Sequence, residues 1–564
     1  MKAGKTSSDA REQMRILAVG VSLAAALLIV LGAGWIFKDA VLLRISAWTT
    51  PKVADSRPVQ WQTAPQTPMA SPSERPPNII LIVADDLGLN DISLKGGGRG
   101  EGSVQTPHID AIAREGVVME TAYAAHATGA PSRAGLLTGR YPTRFGFEFA
   151  PASPLMSRLA AQQKRDDEVA WVYHREKARG APSFKDMGMP AAEVTLAELL
   201  GERGYHTVHL GKWALGAAKG MRPEEQGFEE SLGFMGAAQK YALPDTEGVV
   251  SARLEFDPTD KFLWATLPFS VQYNGSEPFR PKGYMTDYLT EQALEVIGAN
   301  RNRSFFLYVA YNAPHTPLQA TQADYDALSH IADHNERVYA AMIVALDRGV
   351  GRIMQALKDE GLDNDTLVIF TSDNGAAGQI GIEGLNAPYR GWKQTLFEGG
   401  VRVPMFLRWP ARFEAGTKVM QTVSHLDLFA TVAAAAKAPL PGREIIDGVD
   451  LTPYILGERT NSVHEALFWR SGGYRSVRSG KWKLQFQQLP RRIWLYDLEA
   501  DPAEKTNLAQ QRPEVVDYLT TRIQLHDRQQ AEPLWPSLLQ VPVALDKTAR
   551  QEVLAKDAYV VWPN

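Results

Sequence analysis

From residue 78 onward the chain alternates short, largely apolar runs with stretches in which apolar positions recur every three or four residues. The runs fall at 78–84, 207–210, 304–310, 366–370 and 403–407, with Ile, Val, Leu and Phe dominant. A strand buried on both faces reads this way, because neither set of alternating side chains meets water. Between the runs, 106–116 and 194–204 carry helical periodicity, and Thr106-Pro107 sets a cap residue before a proline at the first helical position. The pattern predicts an α/β fold, a large mixed and mainly parallel sheet sandwiched by helices. Beyond about Ser462 the texture changes to brief runs at 466–469, 474–478, 481–485 and 493–496, followed by a helical stretch at 513–528. These predict a small antiparallel subdomain with a helix. Residues 156–189 are polar and poorly periodic and find no place in the sheet, so they are expected as an insertion near the mouth of a site or a solvated loop.

The N-terminal region has a different pattern. Residues 16–37 are uncharged and almost wholly apolar, a length that at the helical rise matches the roughly 30 Å hydrocarbon core of a bilayer. The stretch exceeds the apolar core of a cleaved signal, about 7–15 residues, and is expected to be an uncleaved signal anchor. Lys2, Lys5, Arg11 and Arg15 precede it and Lys38, Arg44 and Lys52 follow, a slight bias for the N-terminus inside. Residues 38–77, rich in Pro, Ser, Thr and Gln, read as an extended linker. The expected organisation is a cytoplasmic tail 1–15, a transmembrane helix 16–37, the linker 38–77, a large domain 78–461, and a C-terminal subdomain and tail 462–564. The globular part is then expected outside the cytoplasm, tethered to the membrane by one helix.

Composition narrows the function classes. A net charge of −4 over 564 residues, with Lys and Arg scattered, argues against a nucleic-acid partner. There is no cysteine, which excludes disulfides, thiolate ligands and a cysteine nucleophile in the chain as written.

The polar clusters sit where the runs end. Asp85-Asp86 follow 78–84, Lys212 follows 207–210, His315 follows 304–310, and Asp373-Asn374 follow 366–370. In an open α/β sheet the ligand site lies outside the carboxyl ends of the strands, so these clusters can converge on one crevice. Taken singly, an Asp-Asp pair is more often a cap or turn, Pro-His is usually structural, and Ser-Asp-Asn-Gly is an ordinary turn. Four clusters in equivalent places reverse that. Three carboxylates and an amide are hard oxygen donors suited to Ca²⁺ or Mg²⁺. Arg133, Lys212 and Lys393 are the cations expected beside them to neutralise an oxyanion, and the predicted substrate is a small anionic ester. Trp213 and Trp392, next to the two lysines, read as core residues before ring-stacking ones.

The segment 129–140, Gly-Ala-Pro-Ser-Arg-Ala-Gly-Leu-Leu-Thr-Gly-Arg, predicts a helix starting at Pro131 and ending near Gly139, whose N-terminus would aim free N–H groups at an anion. Ala130-Pro131-Ser132-Arg133 with Leu137-Thr138-Gly139-Arg140 resembles the signature of the type I sulfatases of the alkaline phosphatase superfamily. The likeness continues through Val83-Ala84-Asp85-Asp86, Gly211-Lys212-Trp213, Ala313-Pro314-His315, Ser372-Asp373-Asn374-Gly375, Arg390-Gly391-Trp392-Lys393 and Glu398-Gly399-Gly400, and reaches Leu495-Tyr496-Asp497 and Asn507-Leu508. The resemblance implies an arylsulfatase-like hydrolase of sulfuric esters. It implies that Asp85, Asp86, Asp373 and Asn374 bind the cation, usually calcium. Arg133 would support the nucleophile, Lys212 and Lys393 would hold sulfate oxygens, and His315 would act at the leaving oxygen as an acid or donor.

Two positions depart from that pattern. The signature begins with a cysteine or serine that becomes formylglycine, the nucleophile, and Gly129 stands there instead. Ala214 stands where the family's Lys-Trp-His run has histidine. Glycine has no side chain to attack or to be oxidised, so the covalent route is closed at a true Gly129. Three readings remain open: a pseudoenzyme that binds anionic ligands or acts as a membrane-tethered interaction protein; a sulfatase whose position 129 is engineered or is formylglycine written as its parent; and turnover by Thr128 or a metal-bound water.

Overall fold

The computed structural model describes residues 52–68, 70–162 and 167–564, and every element below lies within the unit formed by 52–261 and 267–564. The apolar stretch 16–37 and the tail 1–15 fall outside the described residues. Among the described residues no helix is long and apolar enough to cross a membrane.

Among the described residues eighteen strands follow in chain order. They are β1 Asn78–Ala84, β2 Val117–Tyr123, β3 Val172–Tyr173, β4 His206–Lys212, β5 Glu230–Phe234 and β6 Val249–Ala252. Next come β7 Gln272–Tyr273, β8 Phe305–Ala310, β9 Leu318–Thr321, β10 Thr366–Ser372, β11 Met405–Arg408 and β12 Thr417–Ser424. The last are β13 Leu467–Ser471, β14 Tyr474–Ser479, β15 Trp482–Gln487, β16 Arg492–Asp497, β17 Leu539–Ala544 and β18 Tyr559–Pro563.

The main sheet has nine strands in the order β12-β2-β11-β10-β1-β8-β4-β5-β7. β1 runs parallel to β10 and β8, β4 parallel to β8 and β5, and β12 parallel to β2. Only β11 and the edge strand β7 run against the rest. The run 403–407, expected among the parallel strands, is thus antiparallel. Every residue of β1 is buried because both faces are covered: Ile80 and Ile82 belong to one core, Ile79, Leu81 and Val83 to the other. The first core is closed by the helices Pro107–Arg114, Met285–Asn300 and His334–Asp359. Gly129–Thr138, Leu196–Gly201 and Leu426–Ala435 close the second.

The C-terminal runs form the four-stranded antiparallel sheet β13-β14-β15-β16, with the helix Pro513–Asp527 packed on it through Leu519 and Ile523. A three-stranded sheet β18-β17-β3 joins the tail to the polar segment that sequence left unplaced. That segment also carries the helices Pro154–Gln162 and Arg175–Gly180. Residues 52–68 have almost no regular secondary structure, as a proline-rich linker should, yet they are laid along the domain, and 71–75 form a turn. Trp61 Nε1 donates to Gln292, the Gln62 amide donates to Glu230, and Asn302 Nδ2 donates to the carbonyls of Pro65 and Gln66.

Candidate active site

The parallel strands β1, β4, β8 and β10 all end at one edge of the sheet, and the polar residues that follow them meet there. Lys212, the last residue of β4, puts Nζ 2.6 Å from Asp85 Oδ2. Lys393 Nζ lies 2.9 Å from Asp86, and His315 Nε2 lies 3.7 Å from Asp86 Oδ2. The backbone N–H of Asp86, at a φ of 62°, donates to Asp373 Oδ1, and Asn374 Nδ2 donates to Asp86 Oδ1 at 2.8 Å. Arg133, fully buried, donates through Nε to Asp373 Oδ2 at 2.9 Å and through NH1 to the Tyr308 hydroxyl at 3.1 Å.

The helix expected from Pro131 begins at Gly129, two residues earlier, with Thr128 as its N-cap residue. It ends where expected, at Gly139, whose φ of 67° suits glycine. A Cβ built on Gly129 would sit 3.7 Å from Asn374 Oδ1 and nearer still to the Asp373 carboxylate, so position 129 faces the acidic cluster. Thr128, the neighbouring hydroxyl, is held on His126 Nδ1 at 2.8 Å. Ala214 takes a φ of 60°, an unusual value for alanine, and is buried in the second core.

The electrostatics follow from burial. Burial pushes the Asp85 carboxyl up, with Asp373 and Asp86 adding to the effect against the pull of Lys212 and Arg133. Burial would also raise Asp373, but Arg133, Lys212 and Lys393 outweigh it and hold that carboxyl below the usual range. Burial lowers Lys212, while in Lys393 it is outweighed by Asp86, Asp85 and Asp373, which raise that ammonium. Burial, with Lys393 beside it, pushes the His315 imidazole down to about 3, so the ring is neutral near pH 7. Its Nδ1 lies 2.6 Å from the Thr316 carbonyl and must carry the hydrogen, which leaves the lone pair on Nε2.

The donor set fits a hard divalent cation. Asp85 Oδ1 and Asn374 Oδ1 are buried with no hydrogen-bond partner, a costly state for oxygen atoms unless a cation engages them. Ligand atoms of Asp85, Asp86 and His315 lie within 4.8 Å of one another, and the Asp373 carboxylate accepts the Asp86 amide. Three carboxylates face three basic side chains, Arg133, Lys212 and Lys393. Adding a divalent ion to this balanced set makes the pocket positive, which suits an anionic ester. Sequence reasoning did not single out Tyr308, which orients Arg133, or His126. Tyr308 lies inside an apolar run, and nothing in the sequence sets it apart from core.

Comparison with known proteins agrees with this geometry. The sulfatase family matches residues 77–438, and the C-terminal region of N-sulphoglucosamine sulphohydrolase matches residues 390–530. The chain is 33% identical over 478 residues to the steryl-sulfatase of Mus musculus, covering 73% of this chain and 71% of that protein. It is 30% identical over 512 residues to the N-acetylgalactosamine-6-O-sulfatase of Bacteroides thetaiotaomicron, covering 79% and 92%. The crystal structure of Ps i-CgsB matches with a TM-score of 0.68 at 31% identity, over 82% of this chain and 95% of that one, and the same protein has been solved with k-i-k-neocarrahexaose. The chain belongs to the sulfatase family, close to the type I sulfatases and within the alkaline phosphatase-like superfamily.

Proposed function

We propose that this chain is a divalent-cation-dependent sulfatase-family hydrolase that holds a sulfate ester at the carboxyl edge of its main sheet, with turnover lowered by glycine at position 129. The observation that carries the proposal is the set of buried carboxylates backed by Arg133, Lys212 and Lys393, in which two oxygen atoms lack a hydrogen-bond partner. Asp85, Asp86, Asp373 and Asn374 hold the cation, with His315 Nε2 close by. When bound, Ca²⁺ or Mg²⁺ polarises the ester and neutralises charge on its oxygens.

The chain's own residues then divide the work. Lys212 and Lys393 pair with sulfate oxygens and orient the sulfur toward position 129. Arg133, fixed by Tyr308 and Asp373, keeps that side of the pocket positive and dry. His315 donates to the leaving oxygen only after its Nε2 is protonated, a change that negative charge on a bound ester favours. Where position 129 carries formylglycine, a hydroxyl of its hydrate would form the new bond to sulfur as the ester S–O bond breaks and this proton passes to the departing alkoxide; a true Gly129 supplies no attacking group. The alcohol is an aryl group or a carbohydrate by the resemblance, and the relatives' names add a sterol.

A second reading is that the chain is a pseudo-sulfatase that binds its ester without turning it over. Gly129 and Ala214 favour it, since they remove the nucleophile and a second family residue together. The tryptic peptide 115–133 from protein made in its native host separates the two. A glycine mass with no sulfate release establishes the binding reading, whereas a peptide heavier by a carbonyl group or its hydrate establishes the formylglycine hydrolase. Anchoring by residues 16–37, with the globular part extracytoplasmic, is part of the same proposal and rests on the apolar stretch alone.

A further inference from the structure

The chain that joins Asn374 to Lys393 has little structure of its own. Residues 375–393 contain one short helical turn, Gly378–Ile380, and no strand. So long a stretch without regular structure is uncommon in a compact domain, and holding it in one conformation costs backbone entropy at every residue. Ile380, Leu385 and Trp392 bury one side of it in the first core. Asn386 staples it from within, accepting from the Ala376 amide at 2.9 Å and donating to the Ala376 and Gly391 carbonyls at 3.0 and 3.1 Å.

The C-terminal tail holds the other side. Strands β17 and β18 are joined by residues 545–558, which lie outside both matched family regions, 77–438 and 390–530. This strap is itself fixed in place. The Leu545 amide donates to the Ala558 carbonyl at 2.9 Å, Lys547 pairs with Asp557 at 2.6 Å, and the Val553 amide donates to Asp167 Oδ1 at 2.7 Å. Leu545 shares a buried cluster with Leu396, Phe397 and Val401.

The strap meets the loop at three places. The Ala549 amide donates to the Gly378 carbonyl at 3.0 Å. Gly381, at a φ of 77°, lies against Arg550, whose Cγ would be 2.7 Å from a Cβ built there. Arg390 Nε and NH2 donate to Asp546 Oδ1 and Oδ2 at 2.7 and 2.5 Å, the two-pronged geometry in which a guanidinium fixes a carboxylate most firmly. Arg390 NH1 donates to the Glu504 carbonyl at 3.1 Å, so all three guanidinium nitrogens are engaged.

Only Gly391 and Trp392 separate Arg390 from Lys393. The Gly399 amide donates to the Arg390 carbonyl at 2.7 Å, the Lys393 amide to the Ala376 carbonyl at 3.0 Å, and the Gln394 amide to the Ala127 carbonyl at 2.9 Å. Arg390 is thus part of the stem from which Lys393 reaches Asp86. We propose that Asp546 is a positioning residue: through Arg390 it fixes that stem, so the affinity of the site for a sulfate group depends on a tail outside the family region. The proposal rests on the reading of Lys393 as a sulfate-holding residue. The Asp546 side chain is 57% exposed, so the pair adds little to global stability, and its effect is local, on where Lys393 stands.

The test is calorimetry on the full chain, with calcium titrated first and inorganic sulfate then titrated into the calcium-loaded protein. Asp546→Asn is expected to weaken sulfate binding about fivefold, with the calcium Kd and the Tm unchanged. Asp546→Glu, which can still meet the guanidinium, is expected to recover most of that loss. On an Arg390→Ala background the effect of Asp546→Asn should vanish, because the carboxylate acts through Arg390. Arg492→Ala loosens the tail elsewhere, where NH1 donates to the Tyr559 carbonyl at 2.7 Å, and is expected to lower the Tm with sulfate affinity intact. Wild-type sulfate affinity in Asp546→Asn, an equal loss in Arg492→Ala, or an undiminished Asp546→Asn effect on the Arg390→Ala background overturns the positioning role. Lys393→Ala reads the underlying site: undiminished sulfate binding by that variant overturns the sulfate reading itself, whereas lost binding there beside an unaffected Asp546→Asn overturns the role of the tail alone.

Discussion

Asp373 Oδ2 lies 2.6 Å from the point that a Cβ on Gly129 would occupy. A side chain at 129 is therefore directed at a carboxylate of the acidic cluster, and the carboxylate must turn to admit one. Thr128, one residue earlier in extended conformation, is directed elsewhere, onto His126 Nδ1.

Gly129→Cys, produced with a formylglycine-generating enzyme, is expected to acquire aryl sulfate hydrolysis at least about a thousandfold above the wild-type chain, the scale on which loss of a nucleophile acts in other hydrolases. The mass of the peptide 115–133 reports whether the aldehyde forms. Aldehyde formation with no gain in rate would show that the rest of the pocket does not position a sulfate ester, with Ala214→His as the next addition.

Cation binding should stabilise the folded chain by mass action. Calcium at 100 times its Kd is worth about 2.7 kcal/mol, readable as a rise in Tm that a chelator reverses. Asp373→Ala is expected to lose that rise and to be less stable throughout, because it also strips a partner from buried Arg133. Asn374→Ala, which leaves Arg133 paired, should lose most of the rise, with a smaller drop in the metal-free Tm from the lost hydrogen bond to Asp86. A calcium response unchanged in both variants would remove the proposed ligand set.

The C-terminal sheet is coupled to the main domain through charge. Lys483 Nζ, on β15, lies 2.8 Å from Glu398 Oε1 and 3.2 Å from Glu504 Oε1, all three side chains fully buried. Burial would raise Glu398, but Lys483, Arg402 and Arg478 outweigh it and hold that carboxyl down to about 2. Lys483→Met should destabilise the protein by about 3–5 kcal/mol, as removal of one member of a buried ion cluster does. Denaturant unfolding measures this, and a change below about 1 kcal/mol would mean that water reaches the cluster.

Acid should destabilise the fold through buried neutral histidine. His526 stacks on Phe468 with centroids 4.1 Å apart and an interplanar angle of 7°, and Tyr141 meets its edge. Burial, aided by Arg144 and Arg470, lowers its pKa to about 3. Because the folded pKa is depressed, the contribution is present above the unfolded value near 6.5 and is lost as pH falls toward 3. The loss runs at up to about 1.4 kcal/mol per pH unit. His526→Phe keeps the stack and should flatten the fall in stability between pH 6.5 and 4. A parallel acid limb in wild type and variant would exclude His526 as a contributor.

Much of the architecture was legible because local pattern reports burial. The run 78–84 is β1 to the residue, and the four C-terminal runs became the four strands of one meander. The acidic and basic clusters could be read as a site since each follows a strand. Other elements left no such trace. β12, Thr417–Ser424, alternates buried and exposed positions irregularly at the sheet's edge. β3 is two residues long and is a strand only because the tail, more than three hundred residues later, supplies its partner. No periodicity within a short window encodes a partner that distant.

The sequence by itself determined which residues carry charge, which runs are buried on both faces, and that position 129 has no side chain. Only the tertiary structure decided the sheet order β10-β1-β8-β4, which brings Asp373, Asp85, His315 and Lys212 to one edge and aims Gly129 at Asp373. The physical reason is that hydrophobic periodicity is a local property of the chain, whereas strand order depends on how two whole sheet faces are covered at once. The electrostatics of the site exist only after that choice, because burial and the company of opposite charges shift each pKa.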